Sequence, residues 1–304
     1  MEHAQPVDWK AAHTVFRLAY NTNGLAHHRL LDALRMLADL GYEGVAITPD
    51  VGQLDPLEPS PRLVDDVRRW SEELGLALAI ETGARFVLDP RRKHWPTLLE
   101  PDPADRARRV RMLQRCIDLA ADLDAGLVSI WSGAAPCGSI GDRRGGPAAP
   151  EELWQRLCGG VREVLDHGRQ RGVTVSFEPE PGMFLERPAG YLELCERLGS
   201  DGDDLGLTLD VGHCLVTGDL PVGEQIRALR PRLAHVHLDD IADGRHEHRM
   251  FGDGVLNLPE ALNALLETSY DGMAAVELSR DSHRGAWAAQ ESLGRIRAAL
   301  GRSG

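Results

Sequence analysis

Residues 205–240 read LGLTLDVGHCLVTGDLPVGEQIRALRPRLAHVHLDD. Two short runs rich in Leu, Val and Thr, LGLTLD and LAHVHLDD, enclose LPVGEQIRALRP, an apolar-polar mix long enough for two helical turns. Strand, helix and strand in that order make a parallel βα unit. The rhythm continues both ways. After LAHVHLDD come LPEALNALLET, then MAAVELS (273–279) with GAWAAQESLGRIRAALG. Before residue 205 stand VFRLAYN (15–21), GVAIT (44–48), LALAIE (76–81), GLVSIWSG (126–133) and VTVSFE (173–178), each followed by a helix-like stretch. In the first of these stretches Leu30, Leu31, Leu34, Leu37 and Leu40 recur at helical spacing, and Ser60-Pro61 opens the second as cap and first turn. Eight such pairs in 304 residues predict an α/β fold, a single (β/α)8 TIM barrel spanning 1–304, over an open doubly wound sheet.

Composition narrows the partners. The formal charge is 34 minus 47, or −13, which repels nucleic acid and anionic membranes. No apolar run approaches the roughly 18 to 20 residues of a membrane span, and the polar start MEHAQPVDWK lacks the regions of a secretory signal. A soluble, cytoplasmic protein is expected, with no nucleic-acid or membrane partner. Five scattered cysteines without a CxxC pair read as reduced thiols. The two lysines, Lys10 and Lys93, lie before the earliest strand and in a loop, which disfavours Schiff-base chemistry.

Four side chains close successive strands of the second half: Glu178, Asp210, His237 and Glu277. In a barrel of this kind the C-terminal ends of the strands carry the chemistry, so these side chains converge. Three carboxylates and an imidazole suit one divalent ion, Mn²⁺, Mg²⁺, Co²⁺ or Zn²⁺, with coordination positions left for substrate oxygens. Any one carboxylate could instead cap a helix or pair with an arginine. The loops after the third and fourth strands exceed the usual two to six residues; their Arg91, Arg92, Lys93, Arg143 and Arg144 could clamp a phosphate.

FEPEPG (177–182), LDVGH (209–213), HVHLDD (235–240) followed by GRHEHRMFGDG (244–254), and VELSRDSH (276–283) resemble the strand 5 to strand 8 motifs of the xylose isomerase-like barrels, the sugar phosphate isomerase/epimerase group. The resemblance implies a metal held by Glu178, Asp210, His237 and Glu277, with Glu178 and Glu277 also serving as the acid/base pair. A metal that chelates a carbonyl and the neighbouring hydroxyl acidifies the intervening C–H and holds the resulting enediolate, between two carboxylates able to exchange the proton. The expected activity is isomerisation or epimerisation of a sugar, sugar phosphate or cyclitol ketone. The absence of a lysine near the fifth strand favours proton over hydride transfer.

Alternatives are an inosose-type dehydratase, an endonuclease IV-like phosphodiesterase and a non-catalytic binding barrel. His213, matching a position that contacts substrate or a further metal, is a substrate candidate with His248, Arg249, Glu180 and Glu81. His213, His246 and His248 form a candidate second metal site, because H-E-H precedes a G-D-G where the endonuclease IV branch has D-x-H. His235 is read as facing away from His237, into packing. His27 and Trp131 are possible pocket residues. A homo-oligomer is possible.

Overall fold

The computed structural model describes residues 16–136 and 150–301. Eight parallel strands close in sequence order, each pairing with its chain neighbour and β8 with β1. They are β1 (Arg17–Asn21), β2 (Gly44–Ile47), β3 (Ala77–Glu81), β4 (Leu127–Ile130), β5 (Thr174–Phe177), β6 (Gly206–Asp210), β7 (Leu233–Leu238) and β8 (Met273–Val276). The helices between them are α1 (Leu30–Leu40), α2 (Pro61–Leu74), α3 (Pro103–Asp122), α4 (Pro150–Arg171), α5 (Pro188–Leu198), α6 (Val211–Thr217), α7 (Val222–Leu229), α8 (Leu258–Glu267) and α9 (Gly285–Gly301). The sequence rhythm anticipated all but α6, which follows β6 without a loop.

Strand side chains alternate between two environments. Outward residues such as Val45, Ile80, Phe177, Leu209 and Val236 join one continuous core with the buried stripes of the helices, for example Leu30, Leu34 and Leu37 of α1. Each such side chain contributes about 1.5–3 kcal/mol relative to exposure. Inward residues in the middle of the barrel are mostly small: Ala19, Ala46, Ala79 and Ala275 cluster with Met273. Thr208 sits 2.8 Å from the hydroxyl of Ser129 and 2.7 Å from that of Ser176. One turn of the alternation higher, the inward positions become Asn21, Thr48, Glu81, Trp131, Glu178, Asp210, His237 and Glu277. The small residues fill the middle of the barrel; the large polar ones above make the site.

His235 corrects the sequence reading. Strand period is two, so residues two apart share a face, and His235 points inward like His237, its Nε2 3.0 Å from Glu81 Oε1. Arg143, Arg144, Lys10 and Cys137 lie outside the described residues. Cys116, Cys158, Cys195 and Cys214 are free and buried. No helix among the described residues is long and apolar enough to cross a membrane.

Candidate active site and metal centre

Glu178 follows β5 directly, Asp210 ends β6, His237 lies one residue before the end of β7, and Glu277 follows β8. One ligand atom from each falls within 4.8 Å of all the others. The imidazole faces the group through Nδ1, which is 3.0 Å from Glu178 Oε1, 3.0 Å from Glu277 Oε2 and 3.7 Å from Asp210 Oδ2. Asp210 divides its work. Oδ1 accepts the His213 backbone N–H at 2.8 Å and so caps α6, while Oδ2 is buried with no hydrogen-bond partner. The capping alternative and the ligand reading therefore use different oxygens. A buried, unpartnered carboxylate oxygen beside two more carboxylates calls for a cation, and this donor set fits a divalent one.

Glu81 stands beneath this group rather than in it. Oε1 lies 3.1 Å from His237 Nε2 and 3.0 Å from His235 Nε2. The carboxyl is fully buried, which would raise its pKa, but the two imidazoles outweigh burial and hold it at about 2. A carboxylate behind the far ring nitrogen orients a metal-binding histidine, and here the contact is one of charge, since neither Glu81 Oε1 nor His237 Nε2 has a hydrogen-bond partner. Glu277 is held on its other oxygen by Asn23, whose Nδ2 donates at 2.7 Å. Asn23 escaped the sequence reading, since a single Asn in a loop carries no pattern.

Burial raises Glu178 to about 8, whereas in Glu277 the same effect is outweighed by His248 and His237, which keep its carboxyl well below the ordinary range. The two glutamates thus differ in environment. Glu180 is raised to about 7, chiefly by burial and then by Glu277.

Beside the first group, three imidazoles meet. His213 Nδ1 lies 3.0 Å from the Pro179 carbonyl, an N–H donor's distance, which turns Nε2 toward His246 Nε2 at 2.9 Å. His248 is oriented by Asp239, Oδ2 to Nδ1 2.8 Å. His213, His246 and His248 also place ligand atoms within 4.8 Å of one another and could hold a further ion. Asp239, fully buried, was missed; its place immediately after β7 was the available signal.

A cavity of about 570 Å³ opens above these residues, lined by Glu178, Glu180, Glu81, His213, His237, His246, His248, Glu277 and Trp131 among others. Arg249, expected at the substrate, instead lines a smaller neighbouring cavity and pairs with Glu247 at 2.7 Å. His27 is exposed and outside the cavity. Arg92 is held by Asp89 and lies over Trp95, and Arg91 is exposed; of that loop trio only Lys93 reaches the cavity. A slightly larger opening, about 680 Å³, lies at the opposite end of the barrel among strand starts such as Arg17 and Met273, away from the carboxylates.

Fold and site together define a (β/α)8 barrel whose active face carries a mixed carboxylate and imidazole cluster. The signature of the xylose isomerase-like TIM barrel family matches residues 34–299, and the chain belongs to that family. It is 26% identical to an uncharacterized protein of Methanocaldococcus jannaschii over 193 residues, 58% of this chain and 60% of that one. It is 26% identical to an inosose dehydratase of Lacticaseibacillus casei over 152 residues, 44% of this chain and 50% of that one. The chain thus spans about half to three fifths of the length of these relatives. Among solved structures, an L-ribulose 3-epimerase superposes with a TM-score of 0.73 at 20% identity, covering 95% of each chain. The IOLI protein, solved with a bound zinc atom, superposes with a TM-score of 0.73 at 16% identity, covering 95% of this chain and 99% of that one.

Proposed function

We propose that this protein is a cytoplasmic, divalent-metal-dependent isomerase or epimerase that removes and returns a carbon-bound proton on a sugar, sugar phosphate or cyclitol ketone. The carrying observation is the convergence of Glu178, Asp210, His237 and Glu277 within 4.8 Å at the floor of the cavity. Those four would hold the ion; when bound, it would supply Lewis-acid polarisation of a carbonyl and its neighbouring hydroxyl. The remaining work belongs to the chain. Glu178 and Glu277 come from strands on different sides of the barrel, so one carboxylate removes the proton and the other returns it. Return to the opposite face epimerises; return to the adjacent carbon isomerises. Asn23 keeps Glu277 in place through its 2.7 Å hydrogen bond. Trp131 walls one side of the cavity and limits water.

The inosose dehydratase relatives support a second reading in which the same first step is followed by loss of a hydroxyl. Elemental analysis of untreated protein and a panel of ketoses, their phosphates and cyclitol ketones in D₂O separate the possibilities. The isomerase reading expects one or two divalent ions per chain and deuterium at a substrate carbon without loss of water. A Glu277→Gln variant that keeps both metal and full exchange would remove the proposed acid/base pair.

A further inference from the structure

Three cations gather at one edge of the cavity, and the described residues do little to neutralise them. Arg85 and Lys93, on the loop between β3 and α3, and Arg280, just after β8, line the same cavity as the carboxylate cluster. Among the described residues the side chains of Arg85 and Lys93 have no ion-pair partner. Arg280 reaches only Glu247 Oε1 at 3.9 Å, and the other oxygen of that carboxylate already accepts from Arg249. Some exterior arginines of this chain are paired, Arg169 with Asp201 and Asp204, Arg187 with Asp219, and Arg227 with Glu267, and others stand singly in solvent; what sets Arg85, Lys93 and Arg280 apart is that they share one cavity wall. With 47 acidic against 34 basic side chains, a shortage of carboxylates is not the reason.

Behind this edge Arg109 adds a fourth positive charge. It is buried with its guanidinium 4.4 Å over the Trp131 ring, and Nη2 has no hydrogen-bond partner. Partial burial, then Arg85 and Arg280, push the Lys93 ammonium down, with Glu180 the one carboxylate acting against them. Cations held near one another at a cavity mouth, unpaired, gain most from an anion that arrives with the ligand.

We infer that this edge is a subsite for a compact oxyanion on the substrate, a phosphate ester or a carboxylate, at the end of the molecule remote from its carbonyl. At the floor Glu178, Asp210 and Glu277 are committed to the proposed ion, which takes the carbonyl end, whereas the Arg85, Lys93 and Arg280 edge attracts an anion, so the anion sets which end of the substrate meets the acid/base pair. The direction in which the substrate lies rests on the proton-transfer reading above; the affinity for an oxyanion does not.

Calorimetry on the full-length, manganese-loaded protein with fructose, fructose 6-phosphate and a keto sugar acid tests this. At least one anionic ligand should bind about tenfold or more tightly than fructose, and comparison of the two anions tells phosphate from carboxylate. In a Lys93→Gln/Arg280→Gln double variant with an unchanged circular dichroism spectrum, the preference should fall to within about threefold. Arg91→Gln, exposed on the same loop and outside the cavity, should keep it whole. Equal affinities for all three ligands, no binding of any, or a preference that survives the double variant would overturn the subsite. Deuterium uptake is read separately: an intact anion preference without exchange in any ligand would reject the proton-transfer reading and leave the subsite standing.

Discussion

Asp210 shows how one residue serves structure and chemistry with separate oxygens. An asparagine caps a helix as well as an aspartate, so Asp210→Asn should keep the bond to the His213 amide and cost less stability than the roughly 0.5–2 kcal/mol that loss of a cap costs. It should nevertheless weaken manganese binding by at least about tenfold, since the buried Oδ2 loses its charge. Melting curves and metal titrations give both numbers, and equal metal affinity would return Asp210 to a purely capping role. Glu81 makes the complementary case, because it touches the ring of His237 from behind. Glu81→Gln should cost roughly 10–100-fold in metal affinity, read by titration calorimetry, with no new ligand introduced. Identities at strand ends were legible in the sequence because a carboxylate or histidine after a run of apolar residues is conspicuous. Glu81 showed itself too, but its task did not: whether a carboxylate faces substrate or backs a histidine depends on a strand four places away around the barrel.

The connection from β7 to α8 is the element where sequence said least and the structure builds most. Asp240, fully buried, accepts four backbone N–H groups: those of Ile241 and Leu256 at Oδ1 and those of Gly252 and Gly254 at Oδ2, all between 2.8 and 3.0 Å. Gly254 is required because a Cβ there would come 2.2 Å from the Ile241 carbonyl oxygen. The G-D-G was visible, but its purpose, folding the loop back around one carboxylate to present His246 and His248, needs distances no spacing supplies. Asp240→Asn places an NH₂ against two of those donors. At about 1.5–3 kcal/mol for each charge-assisted bond lost, residues 241–256 should lose several kcal/mol of protection. Hydrogen exchange and limited proteolysis of that segment measure it, and protection equal to the parent protein would refute the pinning role. The short α6 was missed for a related reason: LDVGHCLVTG has too few residues for a helical period to register, and the cap that starts it is the same Asp210 that the strand pattern had already claimed.

At the scale of the molecule, the closed barrel was legible because eight βα units repeat with little interruption, and closure then dictates that strand ends meet. What the repeat does not specify is the charge balance of the meeting. Glu178, Asp210 and Glu277 are gathered where burial disfavours their ionised forms, and in the absence of a metal the compensating cations are His248 and, among the proposed ligands, His237. Burial opposes its charge, but Glu81, Glu178 and Glu277 prevail and raise it well above the usual histidine range. A metal at this site must displace that proton. Binding therefore stabilises the folded chain at the expense of a released proton, and the sign follows: lowering the pH favours the protonated imidazole and weakens the metal, so stabilisation by metal shrinks toward acid. At a free metal concentration of about 100 times Kd the gain is about 2.7 kcal/mol. With roughly 2–4 °C per kcal/mol for a large single domain, manganese should raise the melting temperature by about 5–10 °C near neutral pH. The rise should diminish as the pH is lowered and fall to about half or less in Asp210→Asn at the same manganese concentration. Scanning calorimetry with and without a chelator decides it: a melting temperature indifferent to manganese, magnesium, cobalt and zinc at every pH would mean that the converging carboxylates of this barrel do not hold a metal.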